Sequence, residues 1–458
     1  SCAGTDDEVI TAISYGSTGV ANNLLPTLTT TRNGAGTLSA STTLTYTANG
    51  DVASVDGPLP GSDDATTYRY DAARQLVGAI GPDPDGSGPL LRRAQRLTYN
   101  PRGQATLAEV GTVSGLTDAN WAAFNSLQQA EATYDVYGRL THQRSQSGGV
   151  THSLTQTSYD TAGRTDCTVI RMNPATFASP PISACTATAL GTFGPDRITK
   201  NGYDAASRLT STISGFGVDP IIESVTYNAN GQPLTLTDGK SNVSTIEYDG
   251  FGRAAKMFYP NAYGGGSSST DYEQYTYDAA SNVTAFRNRG GELISSRYDA
   301  LNRRVTMGGL TIADISLTYD NLGRPLTVRG NNILLDFGWD ALGRRVRETN
   351  PIGTVWSSYD LAGRRTGLSW PDGFYVNYDY NIAGDMTAIR ENGATSWSLG
   401  AWDHDNLGRR VAMARANGVS TAWTYDAAGR LGVLRHDRPG ATDDQSLTFA
   451  YNPAGQIV

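Results

Sequence analysis

The chain has 458 residues, a formal net charge of −8 at pH 7 and an isoelectric point of about 5.1. Glycine and tyrosine are abundant, with 52 and 24 residues, and this favours turns and strands over helices. The mild acidity excludes the basic surface that a nucleic-acid-binding protein needs. No apolar run approaches the roughly 20 residues of a membrane helix, so we expect no transmembrane segment.

The N-terminal part carries no clear repeat, and we interpret residues 1–45 as a capping or lead-in segment. The chain begins at Ser1 without Met or a signal peptide, which indicates a processed chain or a fragment. Cys2 has two interpretations. It is either a lipid-modified cysteine, which a signal segment should precede, or an ordinary thiol near a cut end.

From Tyr46 onward one pattern recurs: an aromatic residue, an Asx residue, two variable residues, Gly, Arg and an apolar residue. Between Tyr277 and Tyr425 the step is almost always 20 or 21 residues, and insertions lengthen it nearer the N-terminus. The copies begin at Tyr46, Tyr70, Tyr99, Tyr134, Tyr159, Tyr203, Tyr227, Tyr248, Tyr277, Tyr298, Tyr319, Trp339, Tyr359, Tyr380, His404, Tyr425 and Tyr451.

Each position of the pattern has a physical role in a β-hairpin. The Asx residue starts a type I turn, and Gly supplies the positive φ that the following bulge needs. Where Gly is missing, Ser207, Ser281 and Asn302 replace it, whereas Arg74 fits poorly and predicts a distorted turn. The Arg after the turn can stack on the aromatic residue of the next copy as a cation–π pair.

The four clearest copies define the structural ladder that we expect along the chain. Its residues are Tyr134, Asp135, Gly138 and Arg139; Tyr319, Asp320, Gly323 and Arg324; Trp339, Asp340, Gly343 and Arg344; and Tyr425, Asp426, Gly429 and Arg430. The residues that flank each turn alternate between apolar and polar, as half-buried antiparallel strands do.

The number of copies predicts the fold class, an all-β strip of tandem hairpins over residues 46–458. Seventeen hairpins give roughly 34 strands, which at ~4.8 Å each would extend for about 160 Å. Open sheets of that length curl, and a ring of this circumference is far too wide for side chains to fill, so we expect a spiral around a hollow interior. A propeller predicts features that alternate at about 42 residues, and only a single period is present.

Two insertions interrupt the array. In the first, at about 105–131, residues 117–131 resemble a helix with Thr117 or Asp118 as cap and Trp121, Phe124 and Leu127 on one face. We expect it to pack over the sheet or to seal its opening, with a docking helix for a partner as the alternative.

The second insertion, at 166–196, contains Cys167 and Cys185. A disulfide between them would close a loop of roughly 20 residues, stabilise the chain by about 3 kcal/mol and indicate an oxidising compartment. The alternative is two buried thiols. Metal binding by the pair is not expected, since no histidine or second cysteine pair lies near.

Signatures of catalysis are absent from the sequence. The segment at residues 239–241 ends like a phosphate-binding loop, but Leu234 stands where the earlier glycine should be. The histidines lack metal spacing: His142, His152, His404 and His436. The acidic pairs lie in loops and are interpreted as solvated charge, with adventitious Ca²⁺ binding as the alternative: Asp63 and Asp64, Asp83 and Asp85, Asp443 and Asp444. We therefore predict no catalytic, cofactor-binding or metal-binding residues, and no enzyme.

At this point the sequence is identified as resembling the RHS/YD-repeat family, on copies such as YDVYGRL, YDNLGRPL, WDALGRRV and YDAAGRL. The resemblance implies a β-strip coiled into a hollow cocoon, which in bacterial toxins encloses a C-terminal effector and in animal teneurins serves adhesion. The insertion around Cys167 and the segment at 81–90 resemble those of alphaproteobacterial members. The DPxGL-type plug motif and a toxin domain after Val458 are both missing, and the chain stops inside a copy.

These observations predict a non-catalytic scaffold, extracellular or on the bacterial surface, that encapsulates or presents a cargo such as a C-terminal toxin. The alternative is a structural or adhesive surface or filament protein, with further copies of itself or cell-surface glycans as partners. The resemblance also implies carbohydrate binding for some repeats. The best candidates for an aromatic sugar platform are Trp356, Trp370, Trp397, Trp402 and Trp423. The alternative is that the aromatic ladder is purely structural.

Overall fold

A computed structural model describes residues 4–5, 8–17, 23–61, 63–393, 398–440 and 444–458. Cys2, Trp397 and Asp443 therefore lie outside the described residues. Within the described ranges, 35 strands form an antiparallel sheet, together with one short α-helix and one 3-10 turn. Each strand for which a pairing is resolved lies antiparallel to its neighbour in sequence, for example β14 with β13 and β15.

The elements of the first third of the chain are β1 (Val9–Tyr15), β2 (Pro26–Asn33), β3 (Ser39–Tyr46), β4 (Val52–Asp56), β5 (Thr66–Tyr70), β6 (Leu76–Ile80), β7 (Arg92–Tyr99), β8 (Ala105–Val113), α1 (Asp118–Ala122), β9 (Asn125–Tyr134), β10 (Leu140–Ser147) and β11 (Val150–Tyr159). Residues 1–45, interpreted above as a lead-in segment, thus supply two complete strands and most of a third.

The middle third contains β12 (Thr165–Ile170), the 3-10 turn Pro174–Thr176, β13 (Arg197–Tyr203), β14 (Leu209–Ser214), β15 (Ile221–Tyr227), β16 (Pro233–Thr237), β17 (Val243–Tyr248), β18 (Ala254–Pro260), β19 (Ser267–Tyr277), β20 (Val283–Arg287), β21 (Leu293–Tyr298), β22 (Arg304–Gly309), β23 (Ile315–Tyr319), β24 (Pro325–Gly330) and β25 (Ile333–Trp339).

The last third contains β26 (Arg345–Asn350), β27 (Gly353–Tyr359), β28 (Arg365–Ser369), β29 (Tyr375–Tyr380), β30 (Met386–Glu391), β31 (Ser398–His404), β32 (Arg410–Ala414), β33 (Ser420–Tyr425), β34 (Leu431–Asp437) and β35 (Gln445–Thr448). Tyr451, the aromatic residue of the last copy, forms an isolated bridge with Ile457.

Each aromatic residue of the repeat, from Tyr46 to Tyr425, is the last residue of an odd-numbered strand. The turn after Tyr134 shows the reason. The Gly138 N–H donates to the Asp135 carbonyl at 3.0 Å, and Asp135 Oδ1 accepts from the N–H groups of Tyr137 and Arg139, each at 2.9 Å. The Asx side chain thus satisfies the backbone donors that a tight turn leaves unpaired.

Gly138 in this turn has φ +82°, a conformation that residues with a Cβ rarely adopt. The expectation that Arg74 distorts its turn is wrong. Arg74 adopts φ 64°, and its turn keeps both hydrogen bonds, Arg74 N–H to Asp71 carbonyl and Asp71 N–H to Gln75 carbonyl, at 3.0 Å. The Arg74 guanidinium also bonds Asp51 at 2.7 Å, and these bonds together offset the strain of the left-handed backbone.

The chain divides into two compact units, and the first consists of Ser1–Leu154, Gly338–Glu348 and Ile352–Val458. A small core of this unit contains Ile80, Ala94, Val113 and Phe124, with Trp121 packed against it. Trp121 and Phe124 thus do pack against the sheet, with ring centroids 5.6 Å apart.

The predicted helix over residues 117–131 is mostly wrong. Only Asp118–Ala122 is helical, capped by the Thr117 side chain, and Asn125–Tyr134 forms β9. β9 pairs with β8 on one side and β10 on the other. A helix there would leave the backbone groups of both neighbouring strands unpaired, and this requirement overrides the local helical pattern.

The second unit consists of Thr155–Phe337 and Thr349–Pro351. Cys167 and Cys185 form a disulfide in it; Cys167 lies in a core with Val169, Ala184 and Ile198, and the partly buried Cys185 packs against that core. Two buried thiols are thereby excluded.

The insertion at 166–196 starts on β12 and then leaves the sheet. Inside it, Arg171 and Asp196 form a fully buried ion pair at 2.8 Å. Gln156 Oε1 and the carbonyl oxygens of Ser183 and Thr186 accept the other guanidinium hydrogen bonds of Arg171. A buried charge costs free energy unless it is paired and hydrogen-bonded, and this network meets both conditions.

Few strand residues are fully buried in either unit. Most strand residues are half-buried, because each is covered by neighbours in the sheet and seldom by a second layer, as in β4, β5 and β20. Stability must therefore come largely from contacts between neighbouring hairpins.

Candidate functional site

The aromatic residues of the repeat share one face of the sheet, called here the ladder face. Side chains alternate along a strand, so Trp423 and Tyr425 of β33 lie on this face, whereas Ala422 and Thr424 point the other way. Trp423 and Tyr425 are half-buried and the two others are exposed, which shows that the ladder face is the better covered one.

Each Arg of the pattern first pairs with the Asp of its own turn. Arg164 Nε donates to Asp160 Oδ2 at 2.8 Å, and the same bond joins Arg208 to Asp204 at 2.7 Å. A hydrogen bond from the Arg164 backbone N–H is the main cause that holds the pKa of Asp160 below its ordinary value, against partial desolvation. The same pair occurs at Asp135–Arg139, Asp249–Arg253, Asp299–Arg303, Asp320–Arg324, Asp340–Arg344, Asp360–Arg364, Asp405–Arg409 and Asp426–Arg430.

The same guanidinium then lies over the aromatic ring of the next copy. Arg208 is 4.5 Å from the ring centroid of Tyr227, and Arg409 is 4.3 Å from that of Tyr425. Further stacks of this kind are Arg164 on Tyr203, Arg253 on Tyr277, Arg303 on Tyr319, Arg344 on Tyr359, Arg364 on Tyr380 and Arg430 on Tyr451. Each cation–π contact joins two successive hairpins.

The Tyr hydroxyl adds a hydrogen bond to this contact between two successive hairpins, called here the junction. This role of the hydroxyl was not predicted from the sequence. The Tyr277 hydroxyl donates to the Ala254 carbonyl at 2.7 Å, and the Tyr227 hydroxyl donates to the Leu209 carbonyl at 2.7 Å. The acceptor is the first residue of the strand that precedes each aromatic-bearing strand. A signal was present in the sequence, because the aromatic position holds Tyr in fifteen of the seventeen copies and Phe in none.

The tryptophans proposed as a sugar platform do not share one surface. Trp402 and Trp423 lie on the ladder face, and Trp402 stacks with Arg410 at 5.1 Å. Trp356 is three residues before Tyr359, so it lies on the opposite face, where it is half exposed. Trp370 is at a hairpin turn, with its ring 5.3 Å from that of Phe374.

The histidines are scattered, and hydroxyl groups bond three of them. His142 contacts Thr133 at 3.0 Å, His152 contacts Ser147 at 2.7 Å, and His436 contacts Thr421 at 3.0 Å. His404 ends β31, and burial is the main cause that lowers its pKa.

Metal donors meet at one place in the part of the chain that the structure describes, at Asp166, Cys167 and Cys185. The two cysteines there are joined in the disulfide, so this group offers no thiolate to a metal. Within the described residues, the helix that is present is too short and too polar to span a membrane.

Comparisons with known proteins identify RHS repeats in two segments of this ladder. Residues 339–375 and 404–442 match the RHS Repeat family. The chain is 26% identical over 216 residues to the double-stranded DNA deaminase toxin A of Burkholderia cenocepacia (strain H111), covering 41% of this chain and 14% of that protein. It is 25% identical over 284 residues to the toxin subunit YenC2 of Yersinia entomophaga, covering 56% of this chain and 27% of that protein.

Two solved structures have the same fold. TcdB2-TccC3 without its hypervariable C-terminal region matches with a TM-score of 0.53 and 14% identity, over 98% of this chain and 25% of that chain. The pore form of the Photorhabdus luminescens Tc holotoxin matches with a TM-score of 0.50 and 12% identity, over 98% of this chain and 27% of that chain.

These matches confirm the predicted fold class, an all-β strip of tandem hairpins of the spiral-shell type. The chain spans about a quarter or less of the length of these relatives. On the regular ladder and the two matched segments, this chain is an RHS/YD-repeat protein.

Proposed function

We propose that this strip is a non-catalytic scaffold, part of a shell that encloses a polypeptide cargo such as a toxin. The observation that carries the proposal is the ladder itself. One arginine pairs with its own turn, covers the next tyrosine and, at Arg303, donates to the next turn carbonyl at 3.0 Å. Such junctions make each hairpin a support for its neighbour, as in repeat proteins that enclose or present a partner.

The relatives support the toxin part of the proposal. One is named a DNA deaminase toxin and the other a toxin subunit, and this chain matches only a fraction of each. The disulfide in the second unit supports assembly in an oxidising compartment, which fits a position outside the cell or on the bacterial surface.

Protease protection tests the proposal. The protein that carries this chain is purified from its native source, and every polypeptide that copurifies or continues from the chain is identified by mass spectrometry. We expect such a polypeptide to resist protease while the scaffold is intact. It should become accessible when several ladder arginines are replaced by glutamine. Absence of a shielded polypeptide, or equal digestion in both proteins, would contradict the shell.

A matched variant controls for general loss of stability. Arg289 forms an exposed ion pair with Asp271 and lies 4.1 Å from the ring centroid of Tyr259, so it makes the same kinds of contact as a ladder arginine but outside the Arg position of the repeat. The change Arg289→Gln removes the same charge as a ladder substitution, and we expect it to leave the cargo protected.

A second candidate function, binding of an acidic surface glycan, has one observation in its favour. A polar cleft of about 690 Å³ in the second unit is lined by Arg297, Thr306, Ser316 and Arg329, which the strand registers place in one row, and also by Asp314. Both arginines are exposed, and neither has an ion pair among the described residues. Guanidinium and hydroxyl donors are suited to carboxylate or sulfate groups.

Glycan binding is tested with the purified chain on acidic and neutral glycans. This function predicts binding of acidic glycans that the double change Arg297→Gln and Arg329→Gln abolishes and Arg289→Gln preserves. Equal loss in both variants, or no binding to acidic glycans, would eliminate it.

A further inference from the structure

Within the first unit, the segment that leads into β7 and the start of β7 contact hairpin turns that lie 292 to 315 residues further along the chain. The Leu91 N–H donates to Asn406 Oδ1 at 2.9 Å, and the Ile382 N–H donates to the carbonyl of Pro84, which is fully buried, at 3.1 Å. Two further residues of this contact are charged, and they form an ion pair.

The ion pair joins Arg93 to Asp385, with Arg93 Nη1 3.0 Å from Asp385 Oδ1 and a second, shorter contact through Nη2. Both side chains are mostly buried, with exposed fractions of 25% and 13%. Charge-assisted pairs that are shielded in this way are stronger than those on an open surface.

The contact lies where the repeat pattern is broken. In the copy that begins at Tyr380, the Arg position holds Asp385, and the next copy has His404 in place of Tyr. These two residues cannot make the guanidinium–phenol stack or the hydroxyl bond of an ordinary junction. Arg93 therefore brings to this junction the guanidinium that the repeat itself lacks.

The packing at the contact is close. A Cβ on Gly408 would lie 2.5 Å from the Arg93 guanidinium, and a Cβ on Gly429 would lie 2.0 Å from Gln128 Nε2. The turns after Tyr380, His404 and Tyr425 are consecutive, and all three contact residues from the N-terminal part of the same unit.

We infer that residues 81–93 form a strap that closes the first unit by docking on these turns, with Arg93 and Asp385 as its ionic fastener. The strap consists of the insertion between β6 and β7, residues 81–91, and the first two residues of β7, Arg92 and Arg93. The hairpin pattern does not require the insertion. It holds together two stretches of the strip that the ladder alone connects only through many intervening hairpins. The inference concerns the closure of this unit and does not depend on which cargo or glycan the protein binds.

A variant that repairs the repeat tests the strap. The double change Asp385→Arg and His404→Tyr restores the usual pattern but places two arginines against each other. We expect hydrogen exchange at the Leu91 and Ile382 amides to rise by about tenfold, because each is protected by the docked strap. The amides of β31 and β32 should remain protected, since their own hairpin has been repaired. Unchanged exchange at Leu91 and Ile382 would overturn the strap.

Charge reversal keeps the test decisive if a single variant proves unstable. Arg93→Asp should open the strap, and Arg93→Asp combined with Asp385→Arg should close it again. Failure of the combination to restore protection would count against the ionic fastener. A protected strap in Arg93→Asp alone would do so too.

A pair of glycine variants tests the close packing. Gly408→Ala and Gly363→Ala impose the same backbone strain, at φ +78° and +83°, but nothing lies within 4 Å of a Cβ on Gly363. We expect only Gly408→Ala to expose the strap. Equal exchange of the strap in the two variants would contradict its docking at this turn. The strap and the proposed function fail in distinguishable ways. If a cargo stays protected while the strap is open, the proposed function stands and the shell does not need the strap. If the strap is docked in a protein that holds no cargo, the strap stands and the proposed function fails.

Discussion

Residues of the ladder act in more than one bond at once. Arg253 bonds Asp249 within its turn, lies 4.4 Å from the ring centroid of Tyr277 and donates to the Asp278 carbonyl of the next turn. Tyr277 in turn donates its hydroxyl to the Ala254 carbonyl. The sequence predicted the Arg–Tyr stack, but hydroxyl bonds to backbone depend on register, which the repeat pattern alone does not reveal.

Removal of one Tyr hydroxyl measures its share in the junction. Tyr277→Phe keeps the ring under Arg253 but leaves the Ala254 carbonyl without this donor, and we expect a loss of about 1 kcal/mol in the free energy of unfolding. Denaturant titration of both proteins gives the difference. Tyr263→Phe is the control, because Tyr263 is 98% exposed and should change nothing. Equal stability of Tyr277→Phe and the native chain would show that the hydroxyl bond contributes nothing.

The turn carboxylates predict sensitivity to acid. Hydrogen bonds from the Arg208 backbone N–H, above all, and from its guanidinium hold the pKa of Asp204 below its ordinary value. A group whose pKa is lower in the folded state stabilises the fold above its unfolded pKa, about 3.9 for Asp, and loses that contribution as the pH falls through the folded pKa.

The contribution of Asp204 to stability should therefore be flat from neutral pH to about pH 5 and fall below that, as the unfolded carboxylate takes up a proton first. Asp204→Asn should weaken the pH dependence below pH 4, since Asn does not titrate. The measurement is the thermal midpoint between pH 3 and 7. A variant with the same acid response as the native chain would show that this turn carboxylate is not coupled to folding.

Elements differ in how well local sequence predicts them. The hairpins were predictable because each turn carries its own Asx and Gly signals, as at Asp135 and Gly138. β9 was not, because its strand character comes from pairing with β8 and β10 and not from its own residues. Arg74 shows the same limit, since its guanidinium bond to Asp51 of the preceding turn lies outside any local pattern.

The disulfide-bonded insertion is the element that we expect to depend most on a single covalent bond. Cys167 and Cys185 are 18 residues apart, and removal of a cross-link over such a loop costs about 3 kcal/mol. The double change Cys167→Ala and Cys185→Ala should therefore lower the denaturation midpoint of the second unit. A reducing agent should have a similar effect on the native chain and none on the variant. Equal midpoints for the native chain and the variant would contradict a stabilising disulfide.

At the scale of the whole molecule, few strand residues are fully buried, and the buried clusters described in the two units are small. Hairpins stacked side by side contact mainly their neighbours, so stability is a sum of hairpin and junction contributions. The repeat period predicted this architecture. The strap contact between Arg93 and Asp385 could not be predicted, because it joins residues 292 positions apart. In addition, Asp385 stands where the repeat pattern has an arginine, so one partner has the opposite charge to the one that the pattern predicts.

The proposed shell is tested most directly by electron cryomicroscopy of the particle purified from its native source. The account predicts a coiled β-strip around an interior that contains density for a polypeptide. A solid particle or a flat extended sheet would contradict it. An empty interior would also contradict it when mass spectrometry finds the cargo polypeptide in the same preparation.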